Sequence, residues 1–259
     1  MRIALGVEYQ GGAYRGWQRQ KNASSVQAHV EDALAKILCH EVKVTCAGRT
    51  DAGVSATGQV IHFDTDLHRP EKAYTRGVNT LMPKDIAVTW AMPISDDFHA
   101  RFSATERRYR YVIYNAEYRP GILESGLTHV YQPLDVTLMH EAAQAIVGKH
   151  DFTTFRATHC QANSPIRDIK AISVLQKGPY ILLDIRANAF LHHMVRNIMG
   201  SLLVIGQKLE PVSWMEHLLA LKDRTQAAAK AKPNGLYLVK VIYPEHFGLP
   251  NLPPGPLFW

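Results

Sequence analysis

The chain has 259 residues, 46% of them hydrophobic and 20% charged, which is enough apolar matter for a sizeable core and excludes a disordered protein. Lysine and arginine (29) outnumber aspartate and glutamate (23), giving a net charge of +6 and a pI near 9.2. A basic balance suits a polyanionic partner, since each neutralised phosphate releases counterions, and equally suits ordinary solubility.

Residues 2–9 (RIALGVEY) predict a first strand, followed by a loop punctuated by Gly11, Gly12 and Gly16. Ser24-Ser25 open a helix with Val26, Val30, Ala33, Leu34 and Ile37 on one face, and Ser24 with Gln27 has capping-box spacing. Strands are expected over 42–47 and 58–64, a helix around 70–80 and a strand around 86–92. The second half predicts a strand over 106–115, a helix over 135–148 and a hairpin of 166–175 and 180–187 around Lys177-Gly178-Pro179. Helices follow over 189–206 and 211–222, then a last strand over 236–243 and a proline-rich tail that cannot continue regular structure. This order indicates an α+β protein with mainly antiparallel sheets. Element order is roughly repeated, so an N-terminal half, 1–100, and a C-terminal half, 101–259, are expected to meet without a flexible linker and to share a basic cleft.

Cys39, Cys46 and Cys160 are too few and too scattered for a disulfide framework, which points to a reducing, cytoplasmic compartment. The apolar opening Ile3–Val7 is too short for a signal peptide, and no apolar run is long enough to span a bilayer.

Chemistry concentrates in residues 47–63, AGRTDAGVSATGQVIHF. Arg49, Thr50 and Asp51 fall on a tight loop in which Gly48 and Gly53 permit unusual backbone angles. A carboxylate beside an arginine is favoured in its ionised form and can attack carbon covalently. Alone, an aspartate in a glycine-rich turn usually bonds nearby backbone N–H groups. In 106–115 (ERRYRYVIYN), Arg107, Tyr109 and Tyr111 share one strand face, and Arg108, Arg110 and Val112 the other. Such interleaving fits a half-buried strand with solvated arginines, or RNA held through phosphates and stacking. From Phe190 on, the apolar positions set His192, His193, Arg196 and Asn197 to the opposite side, as a solvated face or a site.

The string GRTDAGVSATGQV closely resembles the active-site segment of the TruA-type tRNA pseudouridine synthase family. The resemblance extends in order through Tyr14–Gln20, His99–Ala104, Arg107–Tyr111, Phe152…Phe155-Arg156, Cys160-Gln161, Ser164-Pro165, His193–Asn197 and Gly235–Leu238, with one departure at Gln10, where the family usually has aspartate. It implies two ferredoxin-like halves with mainly antiparallel sheets, and isomerisation of uridine to pseudouridine at positions 38, 39 and 40 of the tRNA anticodon stem-loop. It also implies a homodimer with tRNA across both subunits, and no metal or organic cofactor. By resemblance, Asp51 is the nucleophile, Tyr109 contacts the target base, Arg196 faces the active site as a partner for Asp51, and Leu236 lines the uracil pocket. Chemistry on a base within a helix requires extrusion of the nucleotide, and Arg49 could fill the space it leaves.

Other readings have less support. His192 and His193 would point about 100° apart on a helix, and no H-x-x-x-H or H-E-x-x-H string occurs, so no metal site is expected. Gly11–Gly16 is not G-x-G-x-x-G, and no G-K-[ST] follows, so no nucleotide cofactor is expected. A hydrolase pairing Asp51 with Asp64 or Asp66 is conceivable, but spacing alone does not bring them together. A non-catalytic tRNA-binding module would share the charge and the Arg/Tyr strand, yet gains nothing from Asp51. A relative acting on another RNA would differ only in its RNA-contacting surface.

Overall fold

The computed structural model of the chain describes residues 1–158 and 160–256. In chain order its elements are β1 (Arg2–Tyr9), α1 (Val26–Leu38), β2 (Thr45–Cys46), β3 (Ser55–Asp64), α2 (Val78–Leu81) and β4 (Ile86–Ile94). Then come β5 (Glu106–Asn115), β6 (Thr128–Val130), α3 (Val136–Gln144), β7 (Gly148–Asp151), β8 (Ile166–Lys177) and β9 (Tyr180–Ala187). The last are α4 (Met194–Gly206), α5 (Trp214–Leu221) and β10 (Leu236–Ile242). A π-type turn over Ala73–Gly77 leads into α2. No helix among the described residues is long and apolar enough to cross a membrane.

The chain groups into two compact units: Met1–Thr105 with the C-terminal segment from Tyr237, and Glu106–Leu236. That grouping differs from a division at residue 100 in chain order. The last strand returns to the first unit, where Tyr237 and Leu238 pair in parallel with Ser55 and Ala56 of β3. Gly58 permits the approach, since a Cβ there would lie 2.2 Å from the Val239 carbonyl oxygen.

In the first unit β1 lies between β3 and β4 and is antiparallel to both, while β2 pairs antiparallel with β3. The order β4-β1-β3-β2 with two helical connections is the ferredoxin-like, split β-α-β arrangement. Val26, Val30, Ala33, Leu34 and Leu38 of α1 are buried, as the helical spacing of apolar residues requires. The capping box does not form. Ser25, not Ser24, takes the N-cap position, so Gln27 falls one place short of the box and bonds Glu31 instead, at 2.8 Å. Ser24 reaches the His29 ring at 3.0 Å.

In the second unit β5-β9-β8-β7 form an antiparallel sheet, with β6 parallel to β5. The hairpin of β8 and β9 turns through Gly178, at φ +56. Asp135 caps α3 by accepting from the Leu138 N–H at 3.3 Å. The expected helix from 189 starts only at Met194, because His193 adopts a left-handed conformation (φ +63) that no α-helix continues through. Short strands β6 and β7 carry no alternation long enough to have been foreseen.

Candidate active site

Asp51 lies half-buried on the loop between β2 and β3, and three neighbours fix that loop. From the sheet, Gln59 is wholly buried and donates its amide to the Gly48 carbonyl at 2.6 Å, while its own oxygen accepts from the Gly48 N–H at 3.4 Å. The Tyr9 hydroxyl of β1 lies 2.8 Å from the hydroxyl of buried Thr50. Alongside runs the segment 14–17, with the Gly53 N–H on the Tyr14 carbonyl (3.3 Å) and the Trp17 N–H on the Thr50 carbonyl (3.1 Å). Gly16 makes this contact possible: its φ is +93, and a Cβ there would stand 2.7 Å from the Thr50 carbonyl oxygen. Gly53, at φ +80, turns the chain into β3, where the Val54 N–H bonds the Asp51 carbonyl at 3.1 Å. A loop tied from three sides presents its side chain already ordered, as chemistry on a bound substrate needs.

Arg49 is exposed on the same loop. Burial pushes the nearby Cys46 thiol up to about 11 against the opposing pull of the Arg49 and Arg101 guanidinium groups. Both cations therefore stand near the strand that feeds the Asp51 loop. Asp64 is paired with Arg2 at 2.8 and 2.9 Å, which holds its carboxyl below the usual range. Asp66 is exposed beyond the end of β3.

Tyr109, Arg196 and Leu236 belong to the second unit. Tyr109 sits in β5 opposite Ile185 of β9, partly exposed, with its ring edge-on to Phe190 at 5.0 Å and 81°. Phe190 thus serves as the ring that orients Tyr109 rather than as the first apolar position of a helix. On the same face Tyr111 is fully buried, and its hydroxyl donates to the Lys232 carbonyl at 2.7 Å; burial pushes this phenol up to about 12. On the other face Arg108 and Arg110 both bind Asp184 of β9, at 2.6 and 2.8 Å. Both are half-buried and engaged by a carboxylate, not the fully solvated arginines that the strand pattern alone had allowed.

The polar side of α4 is not a solvated face. Arg196 and Asn197 are buried there. The Arg196 Nε donates to the Ala231 carbonyl at 2.9 Å, and the Ala231 N–H returns a bond to the Arg196 carbonyl at 3.1 Å. Asn197 donates to the Phe155 carbonyl at 2.8 Å and accepts from Arg224 at 3.1 Å. A Cβ on Gly200 would lie 2.1 Å from the Ala229 carbonyl oxygen, so the segment 224–231 lies directly on the helix. That segment continues past Lys232 to Gly235, whose carbonyl accepts from the Val112 N–H at 2.8 Å, and so to buried Leu236. Arg196 and Leu236 are thereby tied to the two ends of one connector stitched along β5. The His192 and His193 ring centroids lie 3.9 Å apart with the planes tilted by 34°, and the Lys230 ammonium donates to His193 Nδ1 at 3.2 Å.

Sequence reasoning missed the loop's clamps, Gln59 and Tyr9, and the segment over α4. For Gln59 a signal existed: it is an uncharged amide inside the apolar alternation of β3, where a buried polar group must find partners.

The chain matches the tRNA pseudouridine synthase family over residues 6–103 and 142–244. A tRNA pseudouridine synthase A of Shewanella amazonensis is 62% identical over 258 residues, covering 100% of this chain and 99% of that one. Relatives of the same name from Vibrio cholerae (60%, covering 100% and 98%) and Aeromonas hydrophila (59%, covering 100% and 96%) are similar throughout. With the match running from end to end through the Asp51 loop, the chain belongs to the tRNA pseudouridine synthase family.

Proposed function

We propose that this chain isomerises uridine to pseudouridine at positions 38, 39 and 40 of the tRNA anticodon stem-loop, with Asp51 as the nucleophile. The observation that carries the reading is the Asp51 loop itself, clamped by Gln59, Tyr9 and Gly16 in a chain related to tRNA pseudouridine synthases along its full length.

The reaction breaks the uracil N1–C1′ bond, joins C5 to C1′ and moves the C5 proton, ultimately, to N1. No atom is gained or lost, so the balance calls for no redox partner. The Asp51 carboxylate acts by attack on C1′, by addition to C6, or by taking a ribose proton to give a glycal-like intermediate. Tyr109 stacks on the detached uracil and keeps it from leaving; such stacking is worth about 1–3 kcal/mol per base. Leu236 lines the base pocket, Arg49 takes the place vacated by the extruded nucleotide, and Arg196 supplies a fixed, permanently charged fork.

Tritium release from tRNA labelled at uracil C5 tests this directly. Wild type releases tritium and Asp51→Ala does not; full activity in the variant removes Asp51 from the mechanism. A non-catalytic tRNA-binding module would bind tRNA and release nothing in either form. A relative acting on a different RNA would release tritium from that RNA alone. The chain is further proposed to work as a homodimer in the cytoplasm, where its tRNA substrate is; light scattering at micromolar concentration returns twice the 29.1 kDa chain mass if so, and 29.1 kDa if not.

A further inference from the structure

The loop that follows β4 contains two phenylalanines with opposite fates. Phe98 is fully buried against Tyr243 and Phe247, with ring centroids at 5.1 Å from each. Phe102 is 75% exposed. A single exposed apolar side chain is ordinary, but this one is held in place. The His99 ring stacks on it at 4.3 Å and 28°, and His99 in turn packs on the buried His62 ring at 4.9 Å. His99 Nδ1 accepts the backbone N–H groups of Arg101 (3.2 Å) and Phe102 (3.1 Å). The loop closes on itself through the Ser103 N–H to the His99 carbonyl and the His99 N–H to the Ser103 hydroxyl, each at 2.9 Å. Phe102 is therefore the outer ring of a three-ring column that starts in the core.

Its surroundings are basic and lie close to the Asp51 loop. The Arg101 guanidinium stands over the Phe102 ring at 5.5 Å, near the outer limit of a cation–π contact. His62 accepts the Ala100 N–H at 3.1 Å and pairs along the sheet with Thr45 of β2, the strand that leads to Arg49 and Asp51. Burial and the neighbouring Arg2 charge lower both His62, to about 4, and His99, so near neutral pH the column is a run of uncharged rings, His62 edge-on to His99 and His99 stacked on Phe102, under an arginine.

We propose that Phe102, braced by His99 and flanked by Arg101, is a stacking platform for an unpaired nucleobase of the RNA substrate. The proposal rests on the reading of tRNA as substrate. A base offers the flat face that an ordered aromatic ring takes, and its phosphate offers the anion that Arg101 takes when the base displaces it from the ring. Stacking of this kind is tolerant of sequence, so the platform positions the strand rather than selecting it.

The test is equilibrium binding of an unmodified tRNA transcript, followed by fluorescence anisotropy at several salt concentrations. Phe102→Ala is expected to weaken binding about 5- to 150-fold with the salt slope unchanged, because the lost group is neutral. Phe102→Trp restores affinity, whereas Phe102→Leu does not. Arg101→Ala weakens binding and reduces the salt slope by about one. Thermal midpoints stay at the wild-type value, as the ring is 75% exposed. Wild-type affinity in Phe102→Ala, or rescue by leucine, overturns the platform while tRNA binding by the wild type stands. Absence of tRNA binding by the wild type overturns the substrate reading and the platform with it.

Discussion

Two regions, the loops near Asp51 in the first unit and β5 with α4 in the second, use their arginines in opposite ways. In the second, Arg108 and Arg110 share Asp184, and Arg196 is buried with its Nε on a backbone carbonyl. In the first, Arg49 and Arg101 are exposed beside a loop held from beneath by Gln59 and Tyr9. The richer arginine pattern, ERRYRY, is the one the sheet consumes. A guanidinium with a partner carboxylate opposite it in the ladder is committed to the sheet; one on a loop tip is exposed to solvent. Charge density along a sequence measures neither.

Experiments can break this contrast at several strengths. The largest effect belongs to the loop: Asp51→Ala should cut turnover by at least about 10³-fold in the tritium assay, since a nucleophile's loss removes the route itself. Next is the loop's support. Gly16→Ala places a Cβ against the Thr50 carbonyl at φ +93 and should cost about 2–3 kcal/mol in chemical denaturation, with activity falling as the loop shifts. In the second unit, Asp184→Ala leaves two half-buried guanidinium groups without their carboxylate and should cost about 1–3 kcal/mol of stability. The contrast itself is read from salt dependence. Arg49→Ala should reduce the slope of tRNA affinity against salt by about one, and Arg108→Ala should leave it unchanged. Equal slopes would mean that Asp184 does not sequester its partners.

The smallest effect concerns the column beneath Phe102. His62 titrates near 4 in the folded chain, below its ordinary 6.5, chiefly because of burial. Well above pH 6.5 it is neutral in both states and changes nothing. As pH falls from 6.5 toward 4 the unfolded chain binds a proton that the folded chain refuses, so stability is lost across that window and no further below it. His62→Asn, which keeps an acceptor for the Ala100 N–H, should flatten that slope in denaturation curves taken from pH 7 to 4.

Where local pattern governs, the elements followed from it: β1 and β5 have the bounds read from the sequence, and α1 buries Val26, Val30, Ala33 and Leu34 of the face its spacing marks, with Ile37 partly exposed. Where a single backbone angle or a distant partner governs, they did not. His193 delays α4 through its left-handed φ, and the register of Ser25 undoes the capping box. The candidate residues Arg49 and Asp51 stood out because a long contiguous string carries them, and the sheet order β4-β1-β3-β2 follows from short-range connections that the strand and helix order already limits.

By itself, then, the sequence determined the α+β class, the family and the identity of the Asp51 loop, since these depend on contiguous residues and their spacing. Only the tertiary structure decided which polar groups remain open. It closed Asp184 over the β5 arginines, laid the segment 224–231 on the polar face of α4, returned β10 to β3, and set Gln59 beneath Gly48. Apart from Gln59 and Gly48, which are 11 positions apart, these pairings join residues far apart in the chain. Their energy comes from desolvated charges and amides finding complementary groups, which no local pattern records.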